Sequence, residues 1–143
     1  MATVNPLMNF DGNCEEAFNF YRSVFGGEFA MMMRFKDGPP EMKVAEEYAE
    51  KVMHVALQTG AGSVLMGSDF VPGFGPPFSR GNASWIVLGP DSEEDARRLF
   101  DDLSAGGSVM FPLEKAFWGG LFGMFTDKFG VQWMVNFDEN RKG

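Results

Sequence analysis

Asn13-Cys14-Glu15-Glu16-Ala17-Phe18-Asn19-Phe20-Tyr21 leads to Gly26-Gly27, and Ser92-Glu93-Glu94-Asp95-Ala96-Arg97-Arg98-Leu99-Phe100 leads to Gly106-Gly107. Each stretch places a polar cap before acidic residues, then a short apolar helix face, then a glycine pair. Ala17, Phe20, Tyr21 and Val24 fall at i, i+3, i+4 and i+7, and Ala96, Leu99, Phe100 and Leu103 repeat that spacing, the signature of one buried helix stripe. Two equivalent helices in 143 residues imply two copies of one small module.

Working outward, Val4 to Phe10 reads as a strand with Pro6 near its start. Asn13 is a good N-cap, Glu16 stands where it can complete a capping box, and Gly26 or Gly27 can end the helix in a left-handed conformation. Glu28 to Phe35 is strand-like. Lys36 to Glu50 reads as a long polar loop, with a helical turn over Ala45 to Lys51. Met53 to Thr59 and Ser63 to Ser68 form a hairpin through Gly60-Ala61-Gly62. Phe70 to Gly81 is rich in Pro and Gly and reads as a linker, its Phe70, Phe74 and Phe78 suggesting that it packs down. After it come Ala83 to Leu88, a helix capped by Ser92, and strands over Ser108 to Pro112, Leu121 to Thr126 and Val131 to Phe137. Asp138 to Gly143 is a polar, frayed tail. The order is β-α-β-β-β twice: an α+β domain over 1–143, with module 1 about 1–69, the linker 70–81 and module 2 about 82–137. Each sheet must hide one face under its helix, and the other can curl into a cup suited to a small molecule.

The net charge of −8 argues against nucleic acid and against anionic membrane surfaces, both of which need a basic footprint. No apolar run approaches the roughly 18 residues of a membrane span, and the start shows no basic region followed by an apolar run. The expectation is a soluble cytoplasmic protein. Sixteen Phe and eleven Met suggest broad apolar surfaces, in the core or around a ligand.

Phe10-Asp11-Gly12-Asn13-Cys14-Glu15-Glu16-Ala17 with Phe20-Tyr21 and Phe25-Gly26-Gly27 begins an ordered set of motifs. It continues through Met53-His54, Leu65-Met66-Gly67-Ser68-Asp69, Phe117-Trp118-Gly119, Phe122-Gly123, and Thr126-Asp127-Lys128-Phe129-Gly130-Val131-Gln132-Trp133. This set spans nearly the whole chain. It resembles the vicinal oxygen chelate superfamily of glyoxalase I, extradiol dioxygenases and bleomycin-resistance proteins, and most nearly its PhnB-like branch. The resemblance implies paired βαβββ modules with curved, cup-forming mixed sheets, and a homodimer. It also implies, for the family's metal enzymes, four strand positions presenting His, Glu or Gln to a divalent ion. Carried onto this chain, those positions fall at Asn5 to Pro6, among Met66 to Ser68, at Ser84 or Trp85, and at Met134. None is a His or a Glu. Asn5, Ser68 and Asp69 together would make a poor all-oxygen site, and the chain has a single His. The expectation is no metal and no cofactor. Some PhnB-like relatives carry a demethylubiquinone methyltransferase label, which nothing in this sequence supports.

His54 is the catalytic candidate, since an imidazole titrates near neutrality; a hydrogen-bonded structural His is the alternative. Asp69 could orient His54 or a polar ligand, or cap a turn. Asp127 reads as a turn residue. Cys14 sits in the first turn of a helix, where a thiol can be activated, but Glu15 and Glu16 oppose that. Met8, His54, Met66, Trp118, Phe122 and Met134 are the cup candidates, with Asp69 beside them and Glu114 as a remaining lone carboxylate near the cup or on the surface. The reading is a PhnB-like protein binding a small, partly apolar molecule without the usual metal. The alternatives are a glyoxalase-type metal-dependent lyase using His54 and Asp69, and a non-catalytic partner-binding protein.

Overall fold

A computed structural model describes residues 2–41, 44–60, 62–73 and 75–138. The expectations placed on Ala61, on Phe74 and on the tail beyond Asp138 lie outside them. The chain divides into two compact units, Met1–Ser79 and Arg80–Gly143. The first runs β1 (Leu7–Phe10), α1 (Cys14–Phe25), β2 (Glu28–Arg34), β3 (Val52–Gly60) and β4 (Ser63–Asp69). Its sheet has the order β1-β4-β3-β2, with β1 parallel to β4 and the other pairs antiparallel. The second runs β5 (Ile86–Leu88), α2 (Glu93–Ser104), β6 (Ser108–Lys115), β7 (Leu121–Thr126) and β8 (Gln132–Phe137). Its order, β5-β8-β7-β6, repeats the first, with β5 parallel to β8. The α+β architecture of two βαβββ modules read from the repeated helix is therefore the observed one, built on two open mixed sheets. No described helix is long and apolar enough to cross a membrane.

The differences from expectation lie at element ends. β1 starts at Leu7, because Pro6 has no N–H to give to a ladder; its carbonyl accepts from Met66 N–H at 3.1 Å. β6 runs past Pro112 to Lys115, which an edge strand tolerates. Between Ala45 and Lys51 only a single 3-10 turn forms, over Glu46–Tyr48. Gly26 ends α1 at a φ of 74°, with its N–H donating to Arg22 O.

Each helix buries its apolar stripe on one face of its own sheet. In α2 the stripe is Ala96, Leu99, Phe100 and Leu103, as the spacing predicts. In α1 it is Cys14, Ala17, Phe18, Tyr21 and Val24, so Phe18 rather than Phe20 enters the core. Phe18 meets Phe10 and Tyr21 edge-on at centroid distances of 6.0 and 5.4 Å. It lies so close to β4 that a Cβ on Gly67 would stand 2.4 Å from its ring. Gly123 similarly makes room for Phe100, which packs edge-on against Phe125 at 5.0 Å.

The two helix starts are capped differently. Ser92 accepts from Asp95 N–H at 3.0 Å, the expected local cap. Asn13 makes no side-chain cap. Its role falls to Asp69, fifty-five residues on from Cys14, whose Oδ1 accepts from Cys14 N–H at 2.9 Å and Gly12 N–H at 3.1 Å. Asp69 Oδ2 accepts from Val52 N–H at 2.9 Å, so one buried carboxylate ties the β1–α1 turn, the helix N-terminus and the start of β3 together. In the second unit the buried Asp127 accepts from Phe129 N–H, Val131 N–H and Trp133 Nε1–H at 2.8 to 3.0 Å, pinning the β7–β8 turn beneath the fully buried Trp133.

These geometries separate three substitutions. Asp69→Ala strands three backbone donors and is expected to cost about 3 kcal/mol or more. Ser92→Ala is expected to cost about 1 kcal/mol, and Asn13→Ala less than about 0.5 kcal/mol. Urea unfolding midpoints at constant m measure all three; an Asn13→Ala loss equal to that of Ser92→Ala would contradict the assignment of the cap to Asp69.

Candidate functional site

Strand side chains alternate between faces, and cross-strand partners share one. Gly67 and Val55 pair beneath α1, which fixes the covered face of the first sheet. Met8 pairs with Gly67 and is buried there with Phe10, Leu65 and Asp69. The opposite, helix-free face carries His54, Ala56 and Gln58 from β3, Val64, Met66 and Ser68 from β4, and Leu7 and Asn9 from β1. Met66 pairs with Ala56, two residues from His54, and Met33 of β2 pairs with His54 itself. Ser68 Oγ donates to Asn9 Oδ1 at 2.9 Å.

Of the residues expected in the cup of this unit, the structure thus brings His54 and Met66 onto one face. Met8 and Asp69 stand on the other, under the helix. Asp69 therefore does not orient His54, and a register in which both hold one ion is closed by alternation. Ser68 and Asp69 are likewise on opposite faces.

In the second unit the covered face holds Trp133, Val135 and Phe125. The helix-free face carries Val87 of β5, Met134 and Asn136 of β8, Phe122 and Met124 of β7, and Glu114 of β6. Trp118, 45% exposed in the β6–β7 connection, packs edge-on against Phe122 at 5.7 Å and against Phe117 at 4.9 Å. Trp118, Phe122 and Met134 are thereby gathered on one side, an apolar and aromatic platform. Met33, Met124 and Asn136 also belong to these faces and escaped the sequence reading. Asn136 was legible in principle, standing two residues beyond Met134 and so on the same face.

A cavity of about 360 Å³ lies elsewhere in the first unit, lined by Gly12, Glu15, Arg34, Glu47, Glu50, Lys51, Val52 and Asp69. Its cations are already engaged. Arg34 donates to both carboxylate oxygens of Glu15 at 3.0 and 2.8 Å and to Glu50 O at 2.8 Å, while Lys51 Nζ donates to Gly12 O at 2.9 Å. The hydrogen bonds from Arg34 hold the Glu15 carboxyl below its usual range. This cavity is the polar seam around the Asp69 anchor, and the helix-free faces remain the better candidate site.

At the strand positions where the resemblance places metal ligands, the donors are poor. Met134 offers only a thioether, Ser68 is engaged with Asn9, and no three His, Cys, Asp or Glu gather to hold an ion among the described residues. These residues do not fit a metal site of the usual imidazole and carboxylate type. Cys14 gives no nucleophile: it is fully buried, and burial, with Asp69 and Glu15 adding to it, pushes its thiol far above the ordinary range.

The chain matches the family model of the Glyoxalase/Bleomycin resistance protein/Dioxygenase superfamily over residues 3–135. It is 32% identical over 148 residues to Protein YjdN of Escherichia coli (strain K12), across 93% of each chain. Protein PA1353 from Pseudomonas aeruginosa has a similar structure, with a TM-score of 0.82 at 40% identity over 95% of this chain and 98% of that one. The PhnB protein from Bacillus cereus, described as a putative 3-demethylubiquinone-9 3-methyltransferase, superposes with a TM-score of 0.73 at 25% identity over 96% of this chain and 100% of that one.

A buried, neutral thiol makes a direct check on the α1 environment. At a pH of about 8.5, where an ordinary thiol is half ionised, a disulfide reagent is expected to leave Cys14 unmodified in the folded protein. It should titrate one thiol per chain in concentrated guanidinium chloride. Rapid labelling of the native protein would show the α1–β4 seam to be open.

Proposed function

This chain belongs to the Glyoxalase/Bleomycin resistance protein/Dioxygenase superfamily, and within it we propose a PhnB-like protein that binds a small, partly apolar molecule on a helix-free sheet face without the usual catalytic metal. The observation that carries this reading is the platform of Phe122, Met124 and Met134 with Trp118 edge-on beside it, apolar surface left uncovered by α2. Aromatic and thioether side chains adapt to flat apolar ligands, and a face that alternation keeps free of the helix is where a ligand can reach them. In the first unit His54 is the residue assigned to hydrogen bonding or proton transfer, as the imidazole on a face it shares with Leu7, Ala56, Val64 and Met66 and the uncharged polar Asn9, Gln58 and Ser68.

Absence of the metal is supported by the donor set, in which thioether, hydroxyl and amide groups stand where imidazoles and carboxylates are needed. The methyltransferase description of the Bacillus cereus protein is not carried over, because β1 passes into α1 through Asp11-Gly12-Asn13, which is not a glycine-rich nucleotide loop. A homodimer is part of the proposal: β6 is an edge strand whose Val109, Met110 and Phe111 are each about half exposed, and such edges invite covering.

Native mass spectrometry of untagged protein, purified without chelators, tests the reading in one spectrum. Twice the chain mass, no metal and a co-purified small molecule are expected; one divalent ion per chain would overturn the metal-free assignment. Once a ligand is in hand, Phe122→Ala and Trp118→Ala are each expected to weaken it about tenfold, the scale of one lost aromatic contact. Unchanged affinity in both variants would remove the platform from the site.

A further inference from the structure

Asn136, Phe122 and Glu114 form one row across three strands on the helix-free face of the second unit. Asn136 of β8 pairs with Phe122 of β7, and Phe122 pairs with Glu114 of β6. Asn136 Oδ1 is buried and has no hydrogen-bond partner, the sole side-chain atom of that kind among the described residues. Buried acceptors of native proteins are nearly always paired, so an amide oxygen in this state points to a donor brought from outside the chain. At the other end of the row Glu114 is exposed, and none of the described ion pairs involves it. Its neighbour Lys115 pairs with Leu121 and so belongs to the covered face. Between the two acceptors lies an aromatic ring, with Trp118 edge-on to it at 5.7 Å.

Resting on the small-molecule reading above, we propose that this face selects an organic cation: a flat apolar body carrying a protonated amine. The ring faces of Phe122 and Trp118 take the apolar body and attract positive charge at its edge. Asn136 Oδ1 accepts one N–H or O–H of the ligand, and the Glu114 carboxylate neutralises the ammonium. Neighbouring strands stand about 4.8 Å apart, so the row spans about 10 Å from Asn136 to Glu114, the length of a bicyclic ring with a one-carbon arm. The net charge of −8 adds a long-range field that gathers cations and repels carboxylates. The platform alone is indifferent to charge, and the two acceptors on either side of it are what give it a sign.

Three probes with one body and a ring hydroxyl at the far end separate this proposal from the reading it rests on: 6-(aminomethyl)-2-naphthol as its ammonium, 6-(hydroxymethyl)-2-naphthol and 6-hydroxy-2-naphthylacetate, titrated calorimetrically into the full chain at low salt, the hydroxyl offered to Asn136 and the arm to Glu114. The ammonium is expected to bind about tenfold or more tightly than the alcohol, and the carboxylate to bind weakest. Glu114→Gln, at an exposed position, should bring the ammonium down to the alcohol and leave the alcohol unchanged. Asn136→Val, with its fold verified by an unchanged circular dichroism spectrum, should weaken ammonium and alcohol alike by about fivefold. Equal binding of all three probes, or a charge preference that survives Glu114→Gln, overturns the cation assignment and leaves the apolar platform standing. No binding of any probe overturns both.

Discussion

One twelve-residue helix covers one face of each four-stranded sheet, and from that constraint the destination of every strand side chain follows. A parallel β1–β4 or β5–β8 pair needs a crossover, which places the helix on one side. Period-two alternation then sends Val55, Leu57, Trp133 and Val135 under the helix and their neighbours to the other side. The close approach at Gly67 and Gly123 locks this choice, because a side chain at either position would lift the helix away from the sheet. A one-residue slip would exchange the apolar core for His54, Ser68 and Asn136, so the register is strongly specified.

Two buried carboxylates hold the ends of these layers. Asp69 and Asp127 each accept at least three hydrogen bonds, yet at non-equivalent places: one where a helix begins, the other in a hairpin turn. The modules therefore share topology without sharing their anchors. It also explains why an Asp close in sequence to cup positions takes no part in the cup. Asp69 is oriented by backbone donors from three segments, and those donors lie on the helix side of the sheet.

On the proposed reading, the helix-free faces take a small molecule and no metal ion. At the strand positions where the resemblance would place metal ligands, this chain has Met134, Ser68 and residues near Pro6 and Trp85. What remains is apolar and aromatic surface with a few hydrogen-bonding groups at its margin, which favours recognition over Lewis-acid chemistry. Membership of a superfamily with many activities does not choose among them; the residues on the face do.

The duplicated helix pattern, the cap at Ser92, the α2 stripe and the β-α-β-β-β succession along the chain were legible because each is a local periodicity or a short-range hydrogen bond. The residue types at the motif positions were legible too, since they need no coordinates. Other features required the tertiary structure. Asn13 looks like a cap, but a carboxylate from a distant strand end reaches the helix N-terminus instead. Phe20 fits the helical spacing as well as Phe18, and only the position of β1 and Gly67 decides that Phe18 packs inward. Met8 reads as a cup residue until its pairing with Gly67 places it beneath α1. The row of Asn136, Phe122 and Glu114 joins three strands, one pair of them through a bulged register that no sequence window spans. Local order came from the sequence by itself; which face each side chain occupies was decided by strand pairing, a contact between residues far apart in the chain.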